Sequence, residues 1–160
     1  MHAAKTPPLD EWPLVRFGIP DYVQAASPAV ATAFVQKIDG AHFTRLVTLF
    51  VRLVTDANVA ERQVFIEYRD AEGNTFAVMG APVTQSASST NDYAFQGFLS
   101  QVDWPVNDTI LAPLLPLILL PTFDFRIGVD GVQVGDQLSR VRYVRERFFT
   151  DSPTPGLTWR

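Results

Sequence analysis

Apolar and polar residues alternate along most of this chain with the period of a half-buried β-strand. The cleanest stretch sets Phe123, Phe125, Ile127 and Val129 against Asp124, Arg126, Gly128 and Asp130. Residues 42–55 read HFTRLVTLFVRLVT, dense in β-branched and aromatic side chains with no Gly or Pro, and predict a long strand. Phe43, Val47, Leu49, Val51 and Leu53 share one parity there, interrupted by Arg45, and predict an apolar face opposite a mixed one. In residues 62–69, RQVFIEYR, Val64, Ile66 and Tyr68 face one way. The turn Asp70-Ala71-Glu72-Gly73-Asn74 then leads into residues 75–79, a hairpin whose left-handed position falls on Gly73 or Asn74. A short strand is expected over 91–98 and a last long one over 137–149.

The remaining segments are less regular. Residues 29–37 are Ala-rich and follow Ser27-Pro28, which allows a short helix. Phe34-Val35-Gln36-Lys37-Ile38 runs straight into Asp39-Gly40, the signal of a two-residue type I′ hairpin turn, so a strand over 32–38 is the expectation. Residues 82–90 form a polar loop, and Asp103-Trp104-Pro105 with Asn107-Asp108 marks 99–108 as an irregular connection. The stretch TILAPLLPLILLP at 109–121 is apolar yet broken by three prolines. It predicts two edge pieces or a covered loop at one end of a sandwich.

Residues 1–29 carry Pro7, Pro8, Pro13, Pro20 and Pro28 among scattered large apolar side chains. That mixture predicts an extended N-terminal arm lying against its own domain or against a neighbour. Residues 150–160, with Pro153, Pro155 and Gly156, form a C-terminal tail. Short strands at turn-punctuated spacing between them make residues 30–149 an all-β domain, an antiparallel, jelly-roll-like β-sandwich.

Composition narrows the function classes. The 160 residues fit one domain, and 47% hydrophobic with 19% charged residues suit a core that needs no metal or disulfide. There is no cysteine, which removes disulfides, thiol catalysis and Cys-based metal sites. A formal net charge of −4 argues against nucleic acid as a partner. The one basic cluster, Arg140, Arg142, Arg145 and Arg147, reads as a solvated strand face, with Arg140 and Arg142 on the same side. The N-terminus lacks the apolar stretch of a signal peptide, and the greasiest segment, 110–120, is too short for a bilayer. Synthesis in the cytoplasm without a leader, and no membrane contact, are the expectations.

Candidate chemistry is sparse. His2 lies at the chain's N-terminal end, His42 opens a strand with no acidic or cysteine neighbour at ligand spacing, and no nucleophile elbow accompanies Ser86, Ser88 and Ser89. Asp70, Glu72, Asp130 and Asp136 fall at turns, where Asp has a conformational role. The expectation is a protein with no catalytic residue, metal or cofactor, hence not an enzyme. Large apolar residues on the extensions, Trp12, Phe17, Tyr22 and Trp159, are the candidate partner-binding groups.

The run 43–80, above all LVTDANVAERQVFIEYRDAEGN at 53–74, resembles small virion structural proteins of tailed bacteriophages. In those proteins a long strand ending in TDA-x-VA-x-R-x-V precedes a hairpin. GVQVGDQLSRVRYVRERF at 131–148 is similar to their closing strands, so the resemblance spans about residues 33–148. It implies a virion location and a capsid-decorating, head-accessory or tail-associated role. The implied partners are the major capsid or other virion proteins, with a homotrimer or homodimer as the expected assembly. The alternative is a glycan- or receptor-binding module of a fibre or tail, with Trp104 as the sugar-stacking platform.

Overall fold

The strands pair from the outside of the chain inward. In the computed structural model, which describes residues 18–97 and 109–149, the elements are β1 (Ile19–Gln24), β2 (Phe34–Lys37), β3 (His42–Val54), β4 (Gln63–Arg69) and β5 (Thr75–Gly80), followed by β6 (Thr90–Gln96), β7 (Thr109–Pro113), β8 (Ile118–Leu119), β9 (Asp124–Asp130) and β10 (Gln137–Phe149). Antiparallel pairs form between β1 and β10, β2 and β9, β3 and β6, and β4 and β5. Successive pairs alternate between a larger sheet, β1-β10-β3-β6-β7, and a smaller one, β2-β9-β4-β5. That nesting is a long antiparallel ribbon wound into two sheets, the jelly-roll form of the β-sandwich. No helix occurs among the described residues.

Inward side chains of both sheets make one core. Leu49, Leu53, Val64, Ile66, Tyr68, Tyr93, Phe95, Phe125, Ile127 and Val141 are fully buried, and the Phe125 and Tyr143 rings meet edge to face at 5.4 Å. Such a pair adds about 0.5–1.5 kcal/mol beyond its buried area.

Two bulges rewrite the parity expected of the long strands. Val144 pairs with Thr48 but Arg145 with Leu46, so Val47 is an extra residue in β3. The buried positions accordingly switch from Thr44 and Leu46 to Leu49, Val51 and Leu53, and Phe43 and Val47 do not belong to the apolar face. On β10 the extra residue lies between Ser139 and Arg142, where Arg140 adopts φ 51°. Burial passes there from Leu138 to Val141 and Tyr143, and Arg140 and Arg142 stand together on the exposed side.

The expected hairpin at Asp39-Gly40 is not one. β2 belongs to the smaller sheet and β3 to the larger, so this turn carries the chain from one sheet to the other. Gly40 lacks the positive φ that a type I′ turn requires, and Asp39 Oδ1 instead accepts the Ala41 N–H at 3.0 Å. In the β4–β5 hairpin the left-handed residue is Gly73, with φ 87°. The 109–121 stretch divides into edge strand β7, parallel to β6, and the short β8 on β3. Its residues are only partly covered: Ala112, Leu114 and Leu119 are buried, while Ile118 and Leu120 are exposed.

A buried ion network ties the loops at one end. Arg62 is wholly shielded, and all five of its N–H donors are used. They reach both oxygens of Asp136, Oδ1 of Asp56 at 2.6 Å, and the carbonyls of Asn58 and Ala60. Asp136 also accepts the backbone N–H groups of Asp56 and Gln133 at 2.9 and 2.7 Å. The Arg62 backbone bridges that of Gln85, whose side chain reaches Leu53 O, Ser89 O and the Tyr93 hydroxyl. The β3–β4, β5–β6 and β9–β10 loops therefore form one polar knot with the last turns of the core.

Candidate interaction surface

Charges on the larger sheet are mostly committed to one another, and the bulges decide which face each occupies. On the outer face Arg45 pairs with Glu146, its Nε at 2.9 Å from Oε2, with its guanidinium 6.0 Å from the Phe148 ring. Arg52 donates Nε and Nη2 to the two oxygens of Asp92 at 2.7 and 2.6 Å. That two-pronged bond is the main reason the Asp92 carboxyl sits below the usual range; burial opposes it, and Arg140 and Arg142 add to it through their field.

The outer face also holds a hollow of about 220 Å³ lined by Phe50, Asp92, Thr109, Arg140 and Arg142. Cross-strand pairing sets Arg142 opposite Phe50, and its guanidinium stands 6.0 Å from that ring's centroid. Two guanidinium groups beside an aromatic ring give this hollow the chemistry of an oxyanion seat.

At the far end of the same sheet, the inner face carries Asp21 between two arginines. Arg145 donates Nε and Nη2 to Asp21 Oδ2 at 3.0 and 2.9 Å, and Arg147 Nε is 3.5 Å from the same oxygen. Nearby, His42 Nδ1 lies 2.5 Å from Asp39 Oδ1, a contact that is the largest cause of the lowered Asp39 carboxyl. No group of three His, Asp or Glu that could hold a metal occurs among the described residues.

Of the predicted partner-binding residues, Tyr22 is placed on β1 opposite Val144, with 60% of its surface exposed. Trp12, Phe17, Trp104 and Trp159 lie outside the described residues. The serines of the polar loop have structural work, since Thr55 Oγ1 and Ser89 Oγ both donate to Ser86 O. Sequence reasoning passed over Ile19, half exposed on the same edge strand as Tyr22, and the pairing of Arg142 with Phe50. A strand argument can find the second only with the register of β10 on β3, which two bulges displace.

Fold and surface together define an all-β jelly-roll sandwich with β1 as an edge strand of its larger sheet. No family model matches the chain, and no curated protein matches it. Among solved structures it is similar to a mutant VP2 protein of infectious bursal disease virus in derived particles, at 11% identity and a TM-score of 0.33 over 79% of this chain and 32% of that one. The viral particle of infectious bursal disease virus gives 12% identity and a TM-score of 0.33 over 81% and 31%. The Gt strain of the same virus gives 11% identity and a TM-score of 0.34 over 84% and 33%. The chain thus spans about a third of the length of these matched chains.

Proposed function

We propose that this chain is a non-enzymatic structural component of a virus particle, a capsid decoration or head accessory protein of a tailed bacteriophage. In this reading it docks on neighbouring subunits through its terminal extensions, using Trp12, Phe17, Tyr22 and Trp159. Its partners are the major capsid or other virion proteins, and it acts as a homotrimer or homodimer in the virion.

The observation that carries the reading is the root of the arm. β1 is an edge strand, with Pro20 at a position an edge tolerates, and its whole length is hydrogen-bonded to β10. Val23 and Ala25 pack against the core, and Asp21 is gripped by Arg145 and Arg147. Tension on residues before Gly18 therefore passes into β10 and on to β3, two paired 13-residue strands of the larger sheet. Ile19 and Tyr22 meanwhile stay exposed at the margin where a neighbour would arrive. The jelly-roll winding supports the same class, since viral capsid domains use it, and so does the resemblance of residues 33–148 to virion proteins. Fold by itself does not assign function, so the weight rests on the rooted arm.

The test is a truncation that spares β1. A chain lacking residues 1–17, supplied during particle assembly, is expected to fold normally yet leave particles nearly empty of it by quantitative gel. Normal occupancy would refute docking through the arm.

A further inference from the structure

We infer that the outer-face hollow formed by Arg140, Arg142 and Phe50 is the seat for the acidic segment Asp10-Glu11-Trp12 of a second copy's arm. This rests on the reading of the arm as an assembly element and names the surface that receives it.

Arg140 and Arg142 stand apart from every other arginine among the described residues. Each of the others sits against a carboxylate, from Arg45 with Glu146 to Arg147 with Asp21. Arg140 and Arg142 are exposed and make no ion pair there, because the carboxylate nearest their hollow, Asp92, is held on both oxygens by Arg52. The chain places them side by side through an unfavourable backbone conformation, φ 51° at Arg140, on a bulge. A left-handed non-glycine residue costs about 1–3 kcal/mol and persists where its surroundings fix it. Two unpaired guanidinium groups beside an aromatic ring, on a chain of net charge −4, form a local seat for carboxylates.

The arm supplies the complement. Its acidic residues before Gly18 are Asp10 and Glu11, adjacent to each other and to Trp12, whose flat apolar ring suits the Phe50 side of the hollow. Strand polarity decides which copy provides them. Ile19 is opposite Arg147 and Gln24 opposite Arg142, so β1 runs toward the hollow and Gly18 stands at the other end of the strand. Gly18 marks the exit: a Cβ there would stand 2.6 Å from Glu146 Cβ and 2.8 Å from Phe148 Cζ. A chain's own residues 10–12 would have to double back over β1 to reach that hollow, whereas those of a second copy would not.

Full-length chains carrying Arg140→Glu with Arg142→Glu, Asp10→Arg with Glu11→Arg, or all four changes are compared with wild type by analytical ultracentrifugation. Each charge-reversed pair is expected to weaken self-association about tenfold or more. The fourfold variant is expected to recover most of it, and added salt to weaken the wild type. A fourfold variant as weak as the pairs, pairs that associate like wild type, or a wild type that stays monomeric would each overturn the proposal. So would pairs that lower thermal stability without changing association, which would put the segment on its own chain. A chain lacking residues 1–17 separates the two levels. If it dissociates while the arginine pair is dispensable, the arm is an assembly element seated elsewhere. If it associates normally, that broader reading falls as well.

Discussion

Arg62 and Asp136 lie 74 residues apart in sequence, yet the guanidinium Nε meets Oδ2 at 3.0 Å with both side chains shut away from water. The pair fastens the β3–β4 loop to the β9–β10 loop, and the other oxygen of Asp136 holds the Asp56 backbone N–H at 2.9 Å. Asp56 supplies a second carboxylate to the same arginine, so losing Arg62 would leave two carboxylates facing each other in a closed space.

Arg62→Met is therefore expected to destabilise the domain by about 3–5 kcal/mol, the range for removing one partner of a buried pair. Urea unfolding with an unchanged slope is the measurement. A loss under about 1 kcal/mol would mean that water reaches the site.

The same network sets an acid limit. Burial alone would raise the Asp136 carboxyl, but Arg62 and the backbone N–H groups of Gln133 and Asp56 outweigh it and hold the group below its ordinary range. A depressed folded-state value means that the contribution is complete above the unfolded value, about 3.9, and fades as pH falls through the folded one. Glu67 and Asp92, lowered chiefly by hydrogen bonds from Thr75 and Arg52 respectively, act in the same direction. Stability should be flat near neutrality and fall below about pH 4. Asp136→Asn should start lower and show a shallower acid limb in denaturation series.

At the alkaline end the buried phenols govern. Tyr68, Tyr93 and Tyr143 are all pushed above the ordinary tyrosine range, in each case mainly by burial. Their neutral forms are favoured by the fold, so this stability is intact below the unfolded value, about 10, and is lost as pH rises toward the folded values. Ultraviolet titration should show these phenols ionising together with unfolding. Smooth independent ionisation at the free-tyrosine value would contradict their placement in the core.

Two glycines in left-handed conformations should respond differently to alanine. Gly131 has φ 69°, and an added Cβ would stand 2.2 Å from Glu61 O; Gly73 has φ 87° with open space around it. Gly73→Ala is expected to lose about 1 kcal/mol from backbone strain alone, and Gly131→Ala clearly more because the β9–β10 turn must also move. Thermal unfolding of the two variants side by side checks the order.

Much of the architecture was legible in the sequence where side-chain alternation and burial coincide. β9 appeared as the clean run around Phe125 and Ile127, and the left-handed turn residue as Gly73 or Asn74, of which Gly73 takes the position. Alternation failed where the backbone inserts a residue: Val47 and the Arg140 bulge exchange the faces of β3 and β10, and neither position has a residue type that announces a bulge. Asp39-Gly40 looked like a hairpin because the local signal is the same whether the next strand joins the same sheet or crosses to the other. Arg62 shares the parity of Val64, Ile66 and Tyr68 in RQVFIEYR, but its burial depends on Asp136, a partner no local window contains. Tyr22 stands out in the sequence as an apolar residue on a proline-broken segment, whereas the hollow beside Phe50 depends on register.

On the function proposed above, this chain is a structural part of a particle, attached through its arm. The most direct measurement is a density map of an intact particle assembled in the presence of the chain. The predicted result is the sandwich of residues 18–149 repeated at symmetry-related positions on the shell, with residues 1–17 lying across a neighbouring subunit. A particle that lacks the chain, or holds it with both termini free of neighbours, would contradict the account.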